Sequence, residues 1–198
     1  APGQATDGPP PFRVAEVAHL WQAFEPPPAP PAQPSAPAAQ PGDPAPQAGP
    51  ADAAAACHLD YKCYPNYEAA GKSVAHLRFL DDDDRKLYVC SGALLNTVAG
   101  NQTPYFLTAA HCVDTDTEAR TVETYWAYQT AQCNGLPPAR SAASLLNGAR
   151  HLVSRDIPKG DFSLLQLSAQ PSVPHVYAGW SVNGPPIGAN VAGIHHPQ

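Results

Sequence analysis

Beyond residue 57 the apolar positions of this 198-residue chain recur mostly with a period of two. In Ser73–Leu80 (SVAHLRFL), Ala75, Leu77 and Phe79 fall on one side of an extended chain, His76 and Arg78 on the other. KLYVCSGALLN, with Ser91-Gly92 as a bend, predicts a second strand, and PYFLTAA a third. TVETYWAYQTAQC alternates Val122, Thr124, Trp126 and Tyr128, DFSLLQL reads as a further strand, and residues 187–194 as another. Short strands joined by turn-rich loops, with little helical periodicity, point to an all-β barrel or sandwich.

The first quarter of the chain has a different texture. Val17, Leu20, Trp21 and Phe24 follow i, i+3, i+4, i+7, a helical stripe, while Phe12 and Val14 also suit a short strand. Eleven of the 25 prolines then fall between Glu25 and Pro50. Such a stretch has almost nothing to bury and does not offset its ordering entropy, so residues 24–56 read as an extended Pro/Ala-rich linker. This divides the chain into a docking or propeptide segment (1–23), the linker (24–56) and a folded domain (57–198).

A net charge of −6 with 11 Lys+Arg and no basic stripe argues against nucleic acid as a partner. No run of 18 apolar residues is present to cross a membrane. The chain begins at Ala1, contains no Met and shows no signal peptide, so both ends read as cut. Five cysteines, Cys57, Cys63, Cys90, Cys112 and Cys133, form no C-x-x-C pair; their spacing suits zinc poorly and suits disulfides in an oxidising compartment, with one thiol left over. Asp81 to Asp84 read as a solvated loop between strands.

Two segments carry chemistry: Thr108-Ala109-Ala110-His111-Cys112, at the end of an alternating apolar run, and Asp161-Phe162-Ser163-Leu164-Leu165-Gln166-Leu167. A serine hydroxyl needs a neutral imidazole to take its proton, and the imidazole needs a carboxylate on its other nitrogen. Asp156, five residues before Asp161, competes for that role but sits among Pro158 and Gly160 in a loop. His195-His196 are adjacent, so on a strand they point apart and chelate poorly, and no metal or other cofactor is expected.

These segments resemble the trypsin-like serine proteases. CHLDYKC, CSGALLN, YFLTAAHC, TYWAYQTAQC, DFSLLQL, YAGW and GIHHP occur in the order seen in the bacterial lysyl-endopeptidase-like branch, from Cys57 to Pro197. The resemblance implies a trypsin-like double β-barrel, here the first barrel plus the opening strands of the second. It also implies His111 as general base and Asp161 as its orienting carboxylate, His195 and His196 as structural or cleft-lining residues, bridges Cys90–Cys112 and Cys63–Cys133, and a partner for Cys57 that lies beyond this chain. The activity implied is secreted, zymogen-derived endopeptidase action on polypeptides, with cleavage after lysine, by an enzyme monomeric in its full-length form.

The nucleophile is missing from the pattern. Ser163 lies inside DFSLLQL, and Ser168, Ser172 and Ser181 lack the glycine-rich turn of a catalytic serine. The chain by itself is therefore expected to be inactive, with a truncated, non-catalytic pseudoprotease binding module as the alternative.

Overall fold

The computed structural model describes residues 59–136 and 138–196. Residues 1–58, with the docking segment, the linker and Cys57, lie outside them.

Seven antiparallel strands make one sheet: β1 (Val74–Leu80), β2 (Leu87–Leu95), β3 (Tyr105–Thr108), β4 (Glu123–Trp126), β5 (Ser144–Asn147), β6 (Ala149–Arg155) and β7 (Phe162–Leu167). Their order is β5-β4-β1-β2-β3-β7-β6. β5 and β6 stand at opposite ends of that order yet are joined in sequence through Gly148 alone. The sheet therefore curls until its ends approach, the half-barrel expected of a trypsin-like fold. Two short helices accompany it, α1 (Glu68–Gly71) and α2 (Asp116–Thr121).

The inward positions of β1 and β2 make the core. Ala75, Leu77 and Leu94 are fully buried, with Phe79, Phe106, Val113, Trp126 and Leu165 packed around them. Phe106 and Trp126 meet edge to face, 6.0 Å between ring centres. His76, assigned by alternation to the outer face, is also buried. The rings of Tyr125, Tyr128 and His196 lie around it, so both faces of β1 are covered at that point.

The sequence reading needs three local corrections. Ser91-Gly92 is no bend: β2 runs through it, and Gly92 is small because the Phe106 ring lies against it. A Cβ there would stand 2.2 Å from the ring. The strand read through TYWAYQTAQC ends at Trp126, where Ala127 turns to positive φ. Residues 187–194 form no strand; the chain after β7 meets the sheet at the parallel bridge from Leu95 to Ala178 and again at His196, which packs against His76 and bonds to Ser91. The acidic run is an ordered turn: the Asp81 carboxylate accepts the backbone N–H groups of Asp83 and Asp84, and Asp84 pairs with Lys86 and Tyr88.

Candidate active site

The β3–β7 pairing builds the site. Phe106 faces Leu165 and Thr108 faces Ser163, so the C-terminal end of β3 lies beside the N-terminal end of β7. His111 is three residues beyond Thr108 and Asp161 two before Ser163. Groups 50 residues apart in sequence thus arrive at one end of the same strand pair.

Local structure fixes each side chain. After β3 the chain turns tightly, with Cys112 N–H and Val113 N–H both donating to the Ala109 carbonyl. Ala110 is buried, and small residues let the turn sink against the barrel. Cys112 is bonded to Cys90 of β2, with 6.4 Å between Cα atoms, which ties the backbone next to His111 to the sheet. Thr108 adds a second tie, its hydroxyl donating to the Ser91 carbonyl at 2.9 Å. On the other side Gly160 (φ 113°) and Asp161 (φ 45°) both occupy positive φ. A non-glycine residue there is uncommon, and Asp is among those that tolerate it. The turn brings the carboxylate back over the end of β3.

The Asp161 carboxylate grips His111 twice. One oxygen lies 2.6 Å from the ring Nδ1 and the other accepts the His111 backbone N–H at 3.0 Å. The two contacts set both the position and the plane of the imidazole. Nδ1 is thereby the protonated nitrogen of the neutral ring, and Nε2 is left as the acceptor. Partial burial pushes the Asp161 carboxyl up. The His111 backbone N–H, the His111 ring and the Ala110 backbone N–H together outweigh that and hold it below the ordinary carboxylate range. The His111 side chain is 62 % exposed and Asp161 26 %, so the imidazole stands at an open edge with its carboxylate tucked behind it. Asp156 takes no part: it is exposed in the β6–β7 loop, where its carbonyl accepts the Lys159 N–H.

Cys63 and Cys133 are also bonded, joining the start of the described chain to the loop after β4. Cys90, His111 and Cys112 place three potential metal-binding atoms within 4.8 Å of one another. Both sulfurs are spent on the disulfide, so the donor set does not fit a metal. His195 and His196 do not act as a pair. His195 is exposed. His196 is covered, stacked on Tyr128 and edge to face with His76, and its backbone N–H donates to the Ser91 hydroxyl at 2.7 Å. Burial, then the neighbouring His76 and His195, push its imidazole down to about 3.

Among the described residues no serine hydroxyl is hydrogen-bonded to the His111 ring. Ser163 is fully buried within β7, Ser168 donates to the Asn147 carbonyl, Ser172 pairs with Ser144, and Ser181 donates to the Asn183 carbonyl. The sequence reading also missed α2, although its signal was present. Thr115 and Glu118 form a reciprocal capping box, and Thr-x-x-Glu is the spacing that predicts one.

Residues 51–198 match the family of the lysyl endopeptidase C-terminal domain. The chain is 32 % identical over 152 residues to the lysyl endopeptidase of Pseudomonas aeruginosa, covering 74 % of this chain and 33 % of that protein. It thus spans about a third of the length of that relative. Half-barrel, paired His111 and Asp161, and a match across three quarters of the sequence agree: the chain belongs to the lysyl endopeptidase family of trypsin-like proteases.

Proposed function

We propose that this chain supplies two members of a Ser-His-Asp triad, His111 as general base and Asp161 as its orienting carboxylate, in a secreted endopeptidase that hydrolyses polypeptides after lysine. The observation that carries it is the double hold of Asp161 on His111, with the Nε2 side of the ring open.

In this reading Nε2 takes the proton of a serine hydroxyl as that oxygen attacks the scissile carbonyl, and returns it to the leaving amine. Asp161 stays ionised and stabilises the imidazolium formed in between. None of this chain's described serines has the geometry, so the nucleophile is assigned to a part of the protease outside these residues. The family match, which begins at residue 51, supports a protease domain starting near the end of the Pro-rich stretch. The relative's name supports lysine as the residue preceding the cut. Two disulfides support an oxidising compartment.

The test is labelling with diisopropyl fluorophosphate. The 198-residue chain is expected to take up no label, and a longer protein that includes it to take up one per molecule, lost in His111→Ala. Labelling of the short chain, or labelling of the long one that survives His111→Ala, would overturn the assignment.

A further inference from the structure

At the far end of β7 from Asp161 lies an open groove of about 430 Å³. Arg120 from the last turn of α2, Gly148 and Ala149 from the β5–β6 corner, Arg150 of β6, and Gln166 and Ser168 at the end of β7 line it. Both arginines are exposed. Among the described residues neither is in an ion pair; the four found are Glu68–Lys72, Arg78–Glu123, Lys86–Asp84 and His111–Asp161. Asp116 stands one helical turn before Arg120 and is its natural helix-surface partner. Its carboxylate instead accepts the backbone N–H of His151. Among the described residues Arg150 donates to the neutral Gln166 side chain, at 2.9 Å, which aims the guanidinium without cancelling its charge.

The floor is rigid. Gly148 N–H donates to the Val122 carbonyl, Ser168 N–H to the Gly148 carbonyl and the Ser168 hydroxyl to the Asn147 carbonyl. One guanidinium at a helix C-terminus has a bland explanation in the helix dipole. Two uncompensated ones around a single concavity, in a chain of net charge −6, do not share it.

We infer that this groove is an exosite for an acidic stretch of the polypeptide substrate, its glutamate or aspartate carboxylates held by Arg120 and Arg150. The inference rests on the protease reading for its substrate class. Guanidinium forks match carboxylates two bonds at a time, which gives such a site geometric selectivity as well as charge. Its location sets the reach. Asp161 and Ser168 are seven residues apart along an extended strand, about 23 Å at about 3.3 Å per residue. An extended substrate spans that distance in about seven residues, so acidic residues nearer than that to the scissile lysine gain nothing from the groove.

The test is fluorescence anisotropy with this chain and two labelled peptides. Each has one lysine, followed about eight residues later by Glu-Glu in one and Gln-Gln in the other. The Glu peptide is expected to bind roughly tenfold more tightly at low salt and to lose that advantage as salt rises. Arg120→Ala and Arg150→Ala should each remove roughly five- to tenfold of the binding, with an unchanged thermal melt. Arg85→Ala, in the β1–β2 loop, should change neither. Equal affinity for the two peptides would overturn the exosite. So would an equal loss in Arg85→Ala, which reveals non-specific attraction, or displacement by heparin far below the peptide's own concentration range, which reveals a polyanion site. Anisotropy reads binding without turnover, so a failure here leaves the triad assignment standing, and a failed serine label leaves this result standing.

Discussion

Thr108 and Ser163 face each other across β3 and β7, and that register pair sets His111 beside Asp161. A slip of one residue would turn every side chain of β7 to the opposite face. Such a slip would take Leu165 and Leu167 out of the core cluster and bring Leu164 and the polar Gln166 into it, which makes it costly. The pairing of imidazole and carboxylate is therefore a product of core packing in the barrel, and the turns at its rim only complete it.

Replacing Asp161 by Asn should expose the value of that pairing. The amide keeps the size of the side chain but removes its charge, and its NH2 end opposes the His111 backbone N–H or the ring Nδ1–H. The imidazole is then free to adopt the other tautomer. On the proposed function, kcat of a longer protein that includes this chain should fall by roughly 10³–10⁴ with KM little altered. Steady-state hydrolysis of a lysyl peptide checks it, and a loss below tenfold would contradict the role given to Asp161.

Gly92→Ala is expected to be severe. The new methyl would fall 2.2 Å from the Phe106 ring and 2.7 Å from the Leu107 carbonyl oxygen. Both belong to the adjoining strand, and the Phe106 ring is backed by Trp126. Overpacking of this kind costs about 3 kcal/mol. Gly179→Ala, where no atom lies within 4 Å of the added carbon, should stay within about 0.5 kcal/mol of the parent in the same chemical denaturation series.

Much of this was legible in the sequence because strand alternation and the two motif segments are local signals. Ala75, Leu77 and Phe79 share one face by period two alone, and the structure puts that face in the core. What escaped reading depended on contacts distant in sequence. His76 looks solvent-facing by alternation, yet the segment carrying His196, 120 residues later, covers it. Gly92 looks like a bend until Phe106 is seen lying over it. Strands β5 and β6 were overlooked because their burial is partial and β6 carries a bulge between His151 and Val153, which blurs the alternation. At the site, the histidine and the aspartate were legible from their motifs, whereas the positive φ of Asp161 and the grip on the His111 backbone were not.

The two disulfides should separate stability from site geometry. Cys63–Cys133 closes 70 residues of sequence and Cys90–Cys112 closes 22. Chain-entropy scaling gives about 4 kcal/mol for the longer loop and about 3 for the shorter. Paired Cys→Ala replacement of Cys63 and Cys133 is thus expected to lower the denaturation midpoint more. Loss of Cys90–Cys112 unties the turn that carries His111 and, on the proposed function, should reduce kcat of a longer protein that includes this chain more than the other pair does. Activity measured well below both melting temperatures checks the order of the two effects, and a reversed order would refute it.

Acid should act on this domain in two windows. His196 has its imidazole pushed down to about 3, by burial first and then by His76 and His195, whereas in the unfolded chain it titrates near 6.5. Between those values the unfolded state binds the extra proton, so stability rises with pH and is lost on acidification from about 6.5 downward. Asp161 works the other way in origin. Its carboxyl is held below the ordinary range, so its contribution is present above about 4 and disappears only as pH falls through its lowered folded value. His196→Phe keeps an aromatic ring against Tyr128 and His76 but removes the titration. Urea midpoints at pH 7, 6, 5 and 4 should decline steadily in the parent and far less in His196→Phe, with the two falling together only below about pH 3. Parallel declines from pH 7 would mean that the imidazole of His196 takes up its proton without leaving the fold.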